Sequence, residues 1–136
     1  MNRFLYEHSL STLGYLIVPV LAQTIADRPI YSYGLLSDQG RHGQFHQQQN
    51  PAGLHSESII GIIDIAKHHL TSIMSHPPKT DYFQNRYTYR NNLIIVHQQG
   101  NKCYYDHYPP HELRNIAAPK IFASSEECIA WVKGGL

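Results

Sequence analysis

The stretch that decides the fold is residues 82–108, YFQNRYTYRNNLIIVHQQGNKCYYDHY. Within it, segments 82–90, 93–98 and 102–108 are rich in the aromatic and β-branched residues that strands favour. Short separators that contain Asn or Gly lie between them, and these residues suit tight hairpin turns. The middle segment begins LIIV and is therefore apolar on both faces of a strand. We predict a three-stranded antiparallel meander whose central strand is covered on both sides.

Two helices flank this meander in the sequence. Residues 57–74 carry apolar side chains at three- and four-residue intervals, which is the spacing of one helix face, and Ser56 is the predicted N-cap. The Pro-Pro pair at 77–78 is expected to end this helix. The second helix follows Ser124, where the sequence SSEE matches a capping box. A Gly-Gly pair at 134–135 is expected to stop it.

The first third of the chain contains one further predicted helix and a hairpin. Within residues 6–26, apolar side chains recur at helical spacing, so a helix kinked at Pro19 is expected. The positions that carry this pattern are Leu10, Leu13, Ile17, either Val20 or Leu21, and Ile25. Residues 30–37 (IYSYGLLS), the turn residues 38–40 and residues 41–48 then predict a β-hairpin.

These elements give a single α+β domain over residues 1–136, in the order helix-β-β-helix-β-β-β-helix. The expected architecture is a five-stranded antiparallel sheet with flanking helices. This order, with GLLSDQG at 34–40, the long helix at 59–74 and the meander, resembles the roadblock and longin group of adaptor domains. Profilin-like and PAS-like sensor domains share much of the same layout. The resemblance implies a non-enzymatic role, in which such domains dimerise through the sheet and long helix and bind small GTPases or scaffold subunits.

Composition excludes several classes of partner. A formal net charge of +1 lacks the excess of Lys and Arg that several phosphate contacts require, so we expect no nucleic-acid binding. The apolar run at 13–22 is too short to span a bilayer and contains Pro19, so we expect no membrane segment. With two cysteines and a chain long enough to bury a core, we expect reduced thiols and a cytoplasmic protein.

The segment after the third strand of the meander concentrates metal-ligand residue types. Cys103 and His107 share one face of a strand, and His111 follows after a proline turn, so the three are candidate zinc ligands. The alternative is an ordinary strand end with solvent-exposed polar residues. A Cys103–His107 dyad is also conceivable as a catalytic pair, but the sequence has no nucleophile elbow, phosphate loop or zinc-protease motif. We therefore expect a protein without enzyme activity.

Candidate partner-binding residues come from the long helix and from the strands. Ile60 and Ile65 lie on the flanks of the apolar helix stripe, where one core cannot readily cover both. Tyrosine suits interfaces because it buries a large ring while keeping its hydroxyl wet. The candidate strand tyrosines are Tyr31, Tyr33, Tyr87 and Tyr89. The main expectation is a homodimeric interaction or regulatory module, and the alternative is a small-ligand or metal sensor that uses the cluster at 103–111.

Overall fold

A computed structural model describes residues 3–37, 47–76 and 81–136 of the chain. The described residues form eight strands, one short 3₁₀ helix and two α-helices. The strands are β1 (Arg3–Phe4), β2 (Leu10–Thr12), β3 (Tyr15–Ile25), β4 (Arg28–Ser37), β5 (Gln47–Gln49), β6 (Arg86–Tyr89), β7 (Asn92–Gln99) and β8 (Lys102–Tyr108). The helices are the 3₁₀ helix Tyr6–His8, α1 (Ile59–Ile73) and α2 (Ser125–Gly134). The α+β class is confirmed.

The strands form two antiparallel sheets instead of the single five-stranded sheet that was predicted. The first sheet has the order β1-β3-β4-β5, and β2 also pairs with β3. The second sheet is β6-β7-β8, which confirms the predicted meander with β7 at its centre. The prediction of a single sheet is wrong because residues 10–25, which lie within the predicted helix over 6–26, supply strands β2 and β3. The turn at 38–40 and residues 41–46 of the predicted hairpin lie outside the described residues.

The layers stack in the order α1, first sheet, second sheet, α2. The apolar cluster between the sheets contains side chains from both, so the sheets pack face to face. A second cluster joins β3 and β4 to α1, and a third joins β7 and β8 to α2. Along β7, Leu93 and Ile95 point between the sheets while Ile94 and Val96 point toward α2, as the alternation of a strand requires. The prediction of a strand covered on both sides is confirmed.

The predicted helix over residues 6–26 is wrong. This segment forms the 3₁₀ helix and strands β2 and β3. The helical spacing misleads because β3 is buried continuously over residues 16–20, and a continuous apolar run fits a helix and a doubly covered strand equally well. Pro19 lacks the amide that a helix interior needs, whereas in β3 its carbonyl accepts the Leu5 amide at 2.8 Å. Among the described residues, no α-helix precedes α1, so the roadblock-like order loses its first element.

The two α-helices form where the sequence predicts them. The α1 helix lies within the predicted span, but its N-cap is Ser58 and not Ser56, since the Ser58 hydroxyl accepts the Gly61 amide at 2.9 Å. In α2 the Ser124 hydroxyl accepts the Glu127 amide at 3.2 Å, and the helix ends at Gly134 as predicted. The prolines expected to end α1 lie outside the described part of the chain. In that part, no helix is both long and apolar enough to cross a membrane.

The two halves of the chain repeat one arrangement, although no repeat is visible in the sequence. In each half, three consecutive antiparallel strands are followed later in the chain by an isolated bridge to the third strand and then by a helix. The first hairpin of each half turns through two residues with positive φ. The turn is Leu13-Gly14 in the first half and Arg90-Asn91 in the second. The bridge residue and the N-cap serine are Ser56 and Ser58 in the first half, and Phe122 and Ser124 in the second.

Candidate functional site

An open cleft of about 630 Å³ lies on the α2 side of the second sheet, and we call it the α2 cleft. It is lined by Tyr105 and His107 of β8, by the C-terminal half of α2, and by Ile116 and Ala118 of the coil that follows β8. Trp131 of α2 and Ile116 both line the cleft, with 45% and 46% of their surface exposed. A concave and mostly apolar volume of this size is typical of a small-ligand site.

The coil segment 115–118, which forms part of the cleft, is fixed to β8 by consecutive hydrogen bonds. The Ile116 amide donates to the His107 carbonyl at 2.8 Å, and the Ala118 amide donates to the Tyr105 hydroxyl at 2.9 Å. The Asn115 side-chain oxygen accepts the His107 amide at 3.0 Å and the Ala117 amide at 3.1 Å. This segment is therefore held in place before any ligand binds, and a preformed site loses less conformational entropy on binding.

A buried carboxylate holds Asn115 from the other side of β8. Asp106 is fully buried, with 0% exposure, and its two oxygens accept three hydrogen bonds. One oxygen accepts from the Asn115 amide at 2.9 Å, and the other from the Tyr82 hydroxyl at 3.0 Å and from His97 Nε2 at 2.9 Å. Because a buried charge is tolerated only when it is paired and hydrogen-bonded, this network commits Asp106 to one position.

The His97 ring is enclosed by aromatic side chains. Its centroid lies 4.2 Å from that of Tyr82 and 5.1 Å from that of Tyr104, with tilted ring planes. Within the described ranges, the only hydrogen bond of this ring is the one to Asp106. An Asp–His pair can serve as a general base, but among the described residues no serine, threonine or cysteine hydrogen-bonds to this imidazole. Through Asp106 the pair is linked to Asn115, which also bonds to the His107 amide.

His107 is a polar residue that lines the cleft, and 8% of its surface is exposed. Its Nε2 lies 2.9 Å from the side-chain oxygen of Asn92, which is also buried. Burial lowers the pKa of the His107 imidazole below its ordinary value of 6.5. At neutral pH the ring is therefore uncharged.

Trp131 packs at the edge of the cleft among other aromatic rings. Its ring centroid lies 6.2 Å from that of Tyr105 and 5.7 Å from that of Phe122. The Lys120 ammonium lies 4.6 Å from the Trp131 ring centroid, within the range of a cation–π contact. Such contacts fix the indole plane while leaving nearly half of the residue exposed.

The predicted zinc ligands are placed in different environments. Cys103 and His107 do share one face of β8, as predicted, but Cys103 is buried against Phe122 and Cys128, and His111 is exposed. Burial, with the neighbouring Cys103 thiol as a second cause, raises the pKa of Cys128 to about 11. Among the described residues, no three His, Cys, Asp or Glu side chains group closely enough to hold a metal ion. The zinc site stays a prediction.

The predicted partner-binding residues separate into two outer layers. On the α1 side, Ile60 is 76% exposed, Ile65 and Tyr31 are half-buried, and Tyr33 is fully buried with its hydroxyl accepting the Ala52 amide at 3.0 Å. Tyr33 can therefore contact another chain only if the core opens. On the α2 side, Tyr87 is 42% exposed at the edge strand β6, and Tyr89 is half-buried with the ammonium of Lys133 5.1 Å from its ring centroid.

Sequence reasoning missed most of the residues that build the α2 cleft. The hairpin register could have brought together His97 and Asp106, which support the cleft. A two-residue turn at 100–101 pairs His97 with Tyr104, and Asp106 is then the diagonal neighbour of His97. No sequence signal identifies Asn115, because it lies in a coil whose path depends on the tertiary structure.

Comparisons with protein-family models, with curated proteins and with solved structures found no match for this chain.

Proposed function

We propose that this protein is a non-catalytic binding domain that takes a small, mostly apolar ligand in the α2 cleft. The observation that carries the proposal is the hydrogen-bonded coil segment 115–118, which holds Ile116 half-exposed at a cleft that Trp131 also lines. Two large apolar side chains that stay half-exposed in a concave cleft favour an apolar occupant, because their remaining surface is removed from water only when the cleft is filled.

Binding without chemical conversion fits the polar groups near the cleft. The buried pair His97–Asp106 is committed to orienting Asn115, as its contacts with Tyr82 and Asn115 indicate. Both thiols are buried, and the raised pKa of Cys128 keeps that sulfur protonated and unreactive at neutral pH. An activated nucleophile would need the opposite environment, an accessible group beside a base.

The test is titration of the protein with toluene, the simplest apolar ring, followed by the NMR signal of the Trp131 indole N–H. Trp131 is the only tryptophan in the chain, so its indole signal is assigned without ambiguity and reports on a residue that lines the cleft. We expect it to shift with saturation in the wild-type protein. Ile116→Lys should weaken binding by about tenfold or more, because it places an ammonium at an apolar surface.

The matched control is Ile121→Lys. Ile121 lies in the same coil and is 58% exposed, but it does not line the cleft. Its replacement should leave toluene binding unchanged. The proposal fails if toluene leaves the indole signal unmoved, or if both variants bind as the wild-type protein does.

A second candidate function is self-association through α1. Ile60 is the most exposed of the large apolar residues among those described, at 76%, and it lies in the first turn of α1. Leu54, in the segment before this helix, is 55% exposed. Covering such side chains with a second copy of the chain would remove them from water, which favours a homodimer.

Light scattering coupled to size-exclusion chromatography tests self-association. The wild-type protein should elute with the mass of a dimer, and Ile60→Ser should shift it to the monomer. Ile25→Ser, at a β3 residue with 55% exposure, is the control and should stay dimeric. A wild-type monomer at tens of micromolar would end this candidate.

A further inference from the structure

The tautomer of His107 is fixed by the side chain of Asn92. The Asn92 side-chain nitrogen donates to the carbonyls of Tyr89 and Arg90, at 3.3 and 3.1 Å. The amide orientation is thereby set, and the atom that faces His107 Nε2 is the Asn92 oxygen, an acceptor. His107 Nε2 must therefore carry the hydrogen and donate it to Asn92.

In this tautomer the other ring nitrogen, Nδ1, presents a lone pair. Among the described residues, His107 Nδ1 has no hydrogen-bond partner. His107 has 8% of its surface exposed and is one of the residues that line the α2 cleft. A buried acceptor without a partner is disfavoured, so a ligand in the cleft that brings a donor to this lone pair gains a hydrogen bond.

From this arrangement we infer that the α2 cleft recognises an aromatic ring that bears one hydrogen-bond donor, such as a phenol, with the donor directed at His107 Nδ1. The inference rests on the proposed function and adds the chemical class of the ligand. The ring would contact Trp131 and Ile116, whose exposed surfaces suit a flat apolar body. The donor would satisfy the lone pair of His107 Nδ1.

The same chemistry can come from a free phenol or from a tyrosine side chain of a polypeptide. Both present an apolar ring of one size with a hydroxyl opposite the point of attachment. The cleft is open on one side, so the lining residues accommodate either source. The experiment therefore includes a comparison that distinguishes a free phenol from a tyrosine side chain.

The experiment compares three ligands of nearly equal shape on the wild-type protein, by titration of the Trp131 indole signal. These are p-cresol, which has a hydroxyl donor, toluene, which has no polar atom, and 4-methylanisole, whose ether oxygen only accepts. We expect p-cresol to bind roughly three- to tenfold more tightly than toluene, because it gains one hydrogen bond. The acceptor-only ether should bind no better than toluene, because its lone pairs meet that of Nδ1.

Equal affinity for p-cresol and 4-methylanisole would overturn the inference, and so would equal affinity for p-cresol and toluene. In both cases the proposed function survives, because an apolar ligand still binds, whereas failure of all three ligands would remove the proposed function itself. His107→Phe should bring p-cresol down to the affinity of toluene. The wild-type comparison decides the question even if this variant does not fold.

Binding of N-acetyltyrosinamide and N-acetylphenylalaninamide distinguishes the two sources of the ring, a free phenol and a tyrosine side chain of a polypeptide. If the tyrosine derivative binds at least as tightly as p-cresol, the ring belongs to a polypeptide partner. If it binds more weakly than p-cresol, the ligand is a free phenol. A phenylalanine derivative that equals the tyrosine derivative would contradict the required donor.

Discussion

At the scale of single residues, Asp106 governs the geometry of the α2 cleft although it does not line it. The carboxylate lies on the inter-sheet side of β8, and through Asn115 it fixes the coil on the other side of that strand. A buried charge without its partners costs several kcal/mol, so the network of His97, Tyr82 and Asn115 forms as a unit or not at all.

Asp106→Asn should destabilise the protein by about 3 kcal/mol. The side-chain nitrogen of the new Asn is a donor and would face groups that also donate, and the carboxylate charge beside His97 is lost. The free energy of unfolding from denaturant titration measures this loss. Asp64→Asn is the control, since Asp64 is exposed on α1 and should change stability by less than about 0.5 kcal/mol. A loss below about 1 kcal/mol for Asp106→Asn would show that the network is not essential.

His107 should make stability fall as the pH is lowered. Because burial lowers its pKa in the folded state below the ordinary 6.5, the unfolded chain binds the proton more readily. The contribution is fully present above pH 6.5 and is lost as the pH falls through the lowered folded-state pKa. An NMR titration of the His107 ring should give a midpoint below 6.5, and a midpoint above 6.5 would contradict the account.

At the scale of elements, the α2 helix presents Trp131 to the cleft, so the helix must begin at a defined residue. Its N-cap, Ser124, does this by accepting the Glu127 amide, just as Ser58 accepts the Gly61 amide at the start of α1. Because Ser58 and Ser124 are N-caps at equivalent positions of the two halves, the effects of replacing them on stability can be compared directly.

Ser124→Ala and Ser58→Ala should each lower the free energy of unfolding by about 1 kcal/mol, the usual loss when an N-cap hydroxyl is removed. Only Ser124→Ala should also alter the Trp131 indole signal in the native state. Ser125→Ala, one position further along, is the control and should leave stability within about 0.5 kcal/mol of the wild type. Equal losses at Ser124 and Ser125 would argue against the cap.

The sequence predicts the meander and both α-helices because each has a local signal. Turn residues separate the strands around LIIV, and serine caps precede the helices. The β3 strand has a misleading signal, since its apolar residues are consecutive and burial on both faces erases the alternation that identifies a strand. The cleft could not be predicted, because Ile116 reaches it through a coil whose course depends on the hydrogen bonds of Asn115 and Ile116 with β8.

At the scale of the whole molecule, the two halves share one core between the sheets. Leu16 and Val18 of the first sheet lie in the same cluster as Leu93 and Ile95 of the second. The Tyr6 hydroxyl also donates to the Pro109 carbonyl at 2.6 Å, which joins the start of the described chain to the coil after β8. We expect the two halves to unfold together.

Leu16→Ala tests this coupling, because Leu16 lies in the first half and Trp131 in the second. The substitution should lower the free energy of unfolding by about 2–5 kcal/mol. Trp131 fluorescence and far-UV circular dichroism should report the same lowered midpoint. An unchanged fluorescence midpoint would mean that the halves unfold independently.

The most direct test of the α2 cleft is a crystal structure of the protein grown with p-cresol. The account predicts the ring in contact with Trp131 and Ile116, with its hydroxyl within hydrogen-bond distance of His107 Nδ1. A ring bound elsewhere, or a coil segment 115–118 that has left β8 and closed the cleft, would contradict it.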